Sequence, residues 1–96
     1  MLNDCRCKQI LETVIAHFDL TAEDVLGRRR RAHEVLARQV AMYLLKLEGG
    51  TEAAIGKFFD RDHSTVHHAV HSIARKVMRD TELRDALIEI DALLCD

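Results

Sequence analysis

Asp62, His63, Ser64 and Thr65 follow one another where a helical pattern begins. A carboxylate, an imidazole and two hydroxyls on the first turn of a helix are groups that a recognition helix presents to base edges and phosphate. Arg28-Arg29-Arg30-Arg31 forms a second cluster, four consecutive guanidinium groups suited to an anionic surface. A third pattern, His63, His67 and His71, repeats every four residues, a spacing that can chelate zinc. No Cys, Asp or Glu lies on that helix face to complete a ligand set, and Cys5-x-Cys7 lacks the usual Cys-x-x-Cys spacing, so no metal is expected. Catalysis has still less support. The acid-base candidates are surface histidines without a nucleophile or pocket beside them, and Gly56-Lys57 belongs to no GxxxxGK[ST] loop. The expectation is a protein that is not an enzyme and takes no cofactor or small-molecule substrate.

The charge distribution supports the first two clusters. The formal net charge is −2, which by itself argues against an anionic partner. Yet residues 28–79 carry eleven basic and five acidic side chains, whereas residues 1–27 carry two and five and residues 80–96 one and six. One cationic surface between two acidic ends can meet phosphate while the whole stays near neutrality.

These groups need a scaffold, and 96 residues suffice for one domain with a single core, read here as residues 1–96. With no proline, four glycines and many strong helix formers, the composition favours an all-α bundle over a turn-rich β fold. The charged N-terminus and the lack of a long apolar run support neither export nor membrane insertion, so a cytoplasmic, nucleoid-associated protein with reduced cysteines is expected.

Apolar spacing and end signals predict six helices, near residues 4–18, 21–27, 31–48, 51–59, 62–79 and 80–94. Leu11, Val14, Ile15 and Phe18 make a buried stripe on the first. Thr21 caps the second and Gly27 ends it. The third carries Leu36, Val40, Tyr43, Leu44 and Leu47 and stops at Gly49-Gly50, after which Thr51 caps the fourth. Asp80 caps the sixth, whose Leu83, Leu87, Ile90 and Leu94 share a face.

The fourth and fifth segments, a short helix, a tight turn at Asp60–Asp62 and a longer helix, have helix-turn-helix proportions. At 100° per residue, Val66, Ala69, Val70, Ile73 and Val77 cluster on one side of the fifth helix. Ser64, His67, His68, His71, Arg75 and Arg79 gather on the other.

The segment Arg61-Asp62-His63-Ser64-Thr65-Val66-His67-His68-Ala69 resembles the RDHTTVxHA signature of the C-terminal DNA-binding domain (domain IV) of the bacterial replication initiator DnaA. Ala37-Arg38-Gln39-Val40-Ala41-Met42-Tyr43-Leu44 is similar to the family's ARQxAMYL helix, and Ile55-Gly56 to its IG before the turn. The resemblance covers about residues 10–95. It implies double-stranded DNA as partner, with Asp62, His63 and Ser64 reading bases in the major groove and Arg30 entering the minor groove. It also places Arg38, Gln39, Thr65 and His68 on phosphates. Elementary chemistry agrees, since a carboxylate accepts from a cytosine amino group and an imidazole donates to a purine. Arg28, Arg29, Arg31 and Lys46 are expected to add phosphate contacts.

Two departures from the family pattern stand out. The turn Phe58-Phe59-Asp60-Arg61-Asp62-His63 has no glycine and, counted from Phe59 to His63, is one residue shorter than the family's FGGRDH, so its path must differ. Glu52 and Ala53 replace the apolar pair that opens the family's short helix, and Glu52 must point away from DNA's negative field. The initiating methionine and complete first helix suggest a stand-alone relative acting in replication-origin or transcription control. The alternative is a protein-interaction module that binds the replication initiator or another regulator through its acidic ends and has lost DNA.

Overall fold

The computed structural model describes residues 3–28 and 30–95, so Arg29 of the arginine run lies outside the described residues. Six helices and no strand occur among the described residues: α1 (Asp4–Phe18), α2 (Ala22–Leu26), α3 (Ala32–Leu47), α4 (Glu52–Phe59), α5 (His63–Lys76) and α6 (Thr81–Leu94). None of them is long and apolar enough to cross a membrane.

Each start has a side-chain acceptor where the sequence offers one. Asn3, Thr21, Thr51, Asp62 and Asp80 accept from the amides of Arg6, Asp24, Ala54, Ser64 and Leu83, satisfying helix-end donors that would otherwise lack partners. Thr21 and Asp24 close a reciprocal capping box on the five-residue α2. The termini differ from expectation mainly on α5, which stops at Lys76 rather than near Arg79. There the Asp80 amide donates to the Lys76 carbonyl at 2.8 Å, and Arg84 of α6 donates twice to the Val77 carbonyl, which together turn the chain into α6.

α3 is the central element, packed against α1, α2, α4 and α5, while α6 packs on α1. This position explains why one stripe does not describe α3. Ala37, Val40, Ala41, Met42, Leu44 and Leu45 are all buried because neighbours approach from several sides, whereas Leu47, placed on the core stripe by spacing, is 66% exposed. Fully buried Ile10, Val14, Val25, Ile55, Phe59, Val66, Ile73 and Ile90 complete a core drawn from all six helices.

Arg6 links three of them. Its Nε donates to Glu48 Oε1 at 2.6 Å, and its Nη1 donates to Gln9 and to the Leu94 carbonyl. The hydrogen bond from Arg6 holds the Glu48 carboxyl below its ordinary value of 4.5. A depressed carboxyl pKa stabilises the fold above the ordinary value, and that contribution disappears as pH falls through the folded value. The thermal midpoint is therefore expected to drop from about pH 5 downward, and Glu48→Gln is expected to flatten part of this drop. An identical acid profile in the variant would show that the pair does not contribute.

Candidate nucleic-acid interface

The turn between α4 and α5 is closed by backbone geometry. Asp60 sits in the left-handed region at φ 55°, ψ 51°, a conformation the short side chain of aspartate tolerates. Its amide donates to the Lys57 carbonyl and the next amide, Arg61, donates to the Gly56 carbonyl at 2.8 Å, the pair of bonds that defines a Schellman end. Aspartate thus stands where the glycine-bearing family turn led the sequence reading to expect a different path. Gly56 is required for a separate reason. A Cβ there would lie 2.5 Å from the Arg61 carbonyl oxygen, so the chain doubles back against bare backbone.

Arg61 ties this turn to the end of α2. Its Nη1 donates to the Phe59 carbonyl at 2.9 Å, and its Nη2 donates to the Gly27 carbonyl. Arg38 reaches the same place from α3, with Nε on the Val25 carbonyl at 2.6 Å and Nη2 on the Gly27 carbonyl at 3.0 Å. Gly27 has an extended backbone, ψ −173°, and no room for a side chain, since a Cβ would meet the Glu23 carbonyl at 2.7 Å. Two guanidinium groups therefore converge on one carbonyl at the negative end of α2.

Burial is the main cause that pushes the Arg38 guanidinium below its ordinary value, and the nearby charges of Arg61 and Arg28 add to it while Glu34 opposes them. Arg61 shifts in the same direction through burial and the charge of Arg28. Glu34 is buried on the same helix, with Arg31 Nε 3.8 Å from its Oε1. Arg28 is exposed and paired with Asp60 at 3.0 Å, and Arg30 and Arg31 are exposed ahead of α3.

Beside this cationic cluster runs a groove of about 240 Å³ whose walls come from α3 and α5. Arg38, Gln39, Thr65 and His68, the four residues that the resemblance assigns to phosphate, all line it, together with Arg61 and Met42. Arg61 is the residue that sequence reasoning missed. It stood in the signature without a role, and the available signal was its position immediately before the Asp62 cap. Lys46 is placed differently, since its charge acts on Glu52 at the start of α4.

At the tip of α5, Asp62, His63 and Ser64 are exposed and adjacent. Asp62 accepts from the Ser64 amide at 3.1 Å and from the Ser64 hydroxyl, and these bonds, the hydroxyl first, hold its carboxyl below the ordinary value. Two of the three expected base readers are thus joined as one preorganised acceptor, with His63 69% exposed alongside. Further along α5, His67 Nδ1 lies 2.8 Å from Glu52 Oε2. Glu52 therefore turns back onto α5. Arg75 lines a separate cleft with Lys76, Arg79 and Thr81.

A short helix capped into a longer one, with a polar tip and a cationic groove at its flank, defines a helix-turn-helix domain. Residues 7–73 match the family model described as the bacterial dnaA protein helix-turn-helix. The chain belongs to that family. It is 43% identical over 75 residues to the chromosomal replication initiator protein DnaA of Deinococcus radiodurans, covering 77% of this chain and 16% of that protein. Against the protein of the same name from Deinococcus deserti the identity is 38% over 79 residues, covering 81% and 17%. With Lactobacillus delbrueckii subsp. bulgaricus it is 36% over 88 residues, covering 90% and 19%. The chain spans less than a fifth of the length of these relatives.

Proposed function

We propose that the protein binds double-stranded DNA with sequence preference, laying the N-terminal turn of α5 in the major groove. The observation that carries this reading is the convergence of Arg38, Gln39, Thr65, His68 and Arg61 on one groove beside the exposed Asp62-His63-Ser64 tip. A phosphate seated there meets guanidinium, amide, hydroxyl and imidazole donors at once, while the adjoining tip reaches base edges. Arg28 and Arg31 add positive charge around the contact, and Arg30 enters the minor groove, where a narrow A·T-rich tract favours arginine. The relatives' name, chromosomal replication initiator protein, supports a role in chromosomal replication.

Selection of sites from a random duplex pool, followed by binding at several salt concentrations, tests the reading. With about five neutralised phosphates, log affinity is expected to fall against log salt with a slope near −4 to −5. His63→Ala and Ser64→Ala are expected to cost about 1–3 kcal/mol on the selected site and much less on scrambled DNA. Equal losses on both duplexes would remove α5 as the reader. The alternative, an interaction module for an initiator or other regulator, draws on the exposed Ile88 and Leu93 of the acidic α6. It is favoured if no duplex is retarded even at low salt.

A further inference from the structure

Glu52, His67 and His71 form a cluster that the helix face alone does not contain. His67 and His71 are one turn apart on α5, with ring centroids 4.2 Å from each other. Glu52 comes from the first turn of α4, and its Oε2 lies 2.8 Å from His67 Nδ1. One ligand atom from each of the three lies within 4.8 Å of the other two. The third histidine of the repeat, His63, is not in this group, and it points instead toward Asp62, 3.7 Å from Oδ1.

From this geometry we infer a binding site for a zinc-type divalent transition metal, held by Glu52, His67 and His71 and joining the two helices of the helix-turn-helix. Two imidazole nitrogens and a carboxylate oxygen make a three-ligand set of the kind zinc accepts, with water filling the fourth position. Metal–ligand bonds of about 2.0–2.2 Å place ligand atoms about 3.3–3.6 Å apart in a tetrahedron. Ligand atoms up to 4.8 Å apart therefore have to close by as much as about 1.2–1.5 Å, while His67 Nδ1 and Glu52 Oε2, at 2.8 Å, have to part by about 0.5–0.8 Å, movements within reach of rotamer adjustment because His67 is 51% and Glu52 28% exposed. The Glu52 carboxylate already lies in hydrogen-bonding contact with His67, so the ion replaces an existing contact and does not have to gather separated groups. Exposure leaves a path for the ion and for its water ligand. Lys46, whose charge reaches Glu52, is the nearby cation that the ion must overcome.

Metal uptake at this cluster does not depend on DNA and is tested without it. In the full chain with Cys5→Ser and Cys95→Ser, which remove the two exposed thiols, zinc is titrated calorimetrically and cobalt is followed by its visible ligand-field bands. One ion per chain and a tetrahedral cobalt spectrum are expected. Loss of supporting groups around a metal costs about 10- to 100-fold in affinity, and His71→Ala and Glu52→Gln, which remove ligands outright, are expected to cost at least that. His63→Ala is expected to leave affinity unchanged. The three residues are outside the core, and far-ultraviolet dichroism of each variant shows whether the fold persists. No uptake at stoichiometric zinc, a Glu52→Gln variant that binds as tightly as its parent, or a loss in His63→Ala equal to that in His71→Ala would each overturn the site.

Discussion

Gly56→Ala is expected to destabilise the protein by about 3 kcal/mol, the upper part of the usual range for overpacking a tight contact. The added methyl would sit 2.5 Å from the Arg61 carbonyl oxygen and 3.6 Å from two further backbone carbons, where no side chain can rotate away to make space. Relief requires the turn to open. That movement breaks the bond from the Arg61 amide to the Gly56 carbonyl and shifts Asp62, whose side chain caps α5. Urea unfolding measures the effect, and a loss below about 1 kcal/mol would show that the turn accommodates a Cβ. DNA binding provides a second readout. If the shifted cap re-aims α5, affinity falls further than the folded fraction accounts for.

Arg38→Ala is expected to cost about 2–3 kcal/mol of stability, because hydrogen bonds from a charged donor to buried carbonyls are worth more than neutral ones. The Val25 carbonyl loses the bond from Arg38 Nε, while Gly27 retains its bond from Arg61. Arg38 is only 8% exposed, so it has a structural role as well as the phosphate role proposed for it. Arg38→Lys separates the two. An ammonium keeps the positive charge but cannot span two carbonyls as the planar fork does, so stability falls while the salt slope of DNA binding is preserved. An alanine variant as stable as the parent would remove the structural role. A salt slope unchanged in alanine, where about one unit should be lost, would remove the phosphate role.

Much of the fold was legible along the chain because its determinants are local. Thr21, Thr51 and Asp80 cap helices where spacing placed them, since a capping side chain reaches only the amides two or three residues ahead. The two faces of α5 were also legible. Val66, Ala69 and Ile73 are buried and the histidines exposed, as a 3.6-residue period requires when one side meets a core. α3 was less so, because its periodicity marks one stripe and cannot register that four other helices surround it.

The site divides in the same way. The order Asp62-His63-Ser64 and the Arg28–Arg31 run were visible as residue types, but their meeting places depend on helices far apart in sequence. Arg38 and Arg61 share the Gly27 carbonyl because α3 and the α4–α5 turn both pack against the end of α2. Glu52, fifteen residues before His67, joins two histidines because α4 crosses α5 at that level. Helical spacing had set a metal aside for want of an acid on the histidine face, and the tertiary fold supplies that acid from another helix. The sequence by itself determined which groups each helix carries and which side of it seeks the core, because both follow from covalent order and helical pitch. Tertiary structure alone decided which groups from different helices share one site, because hydrogen bonds and coordination form over a few ångströms of space, whatever their separation along the chain.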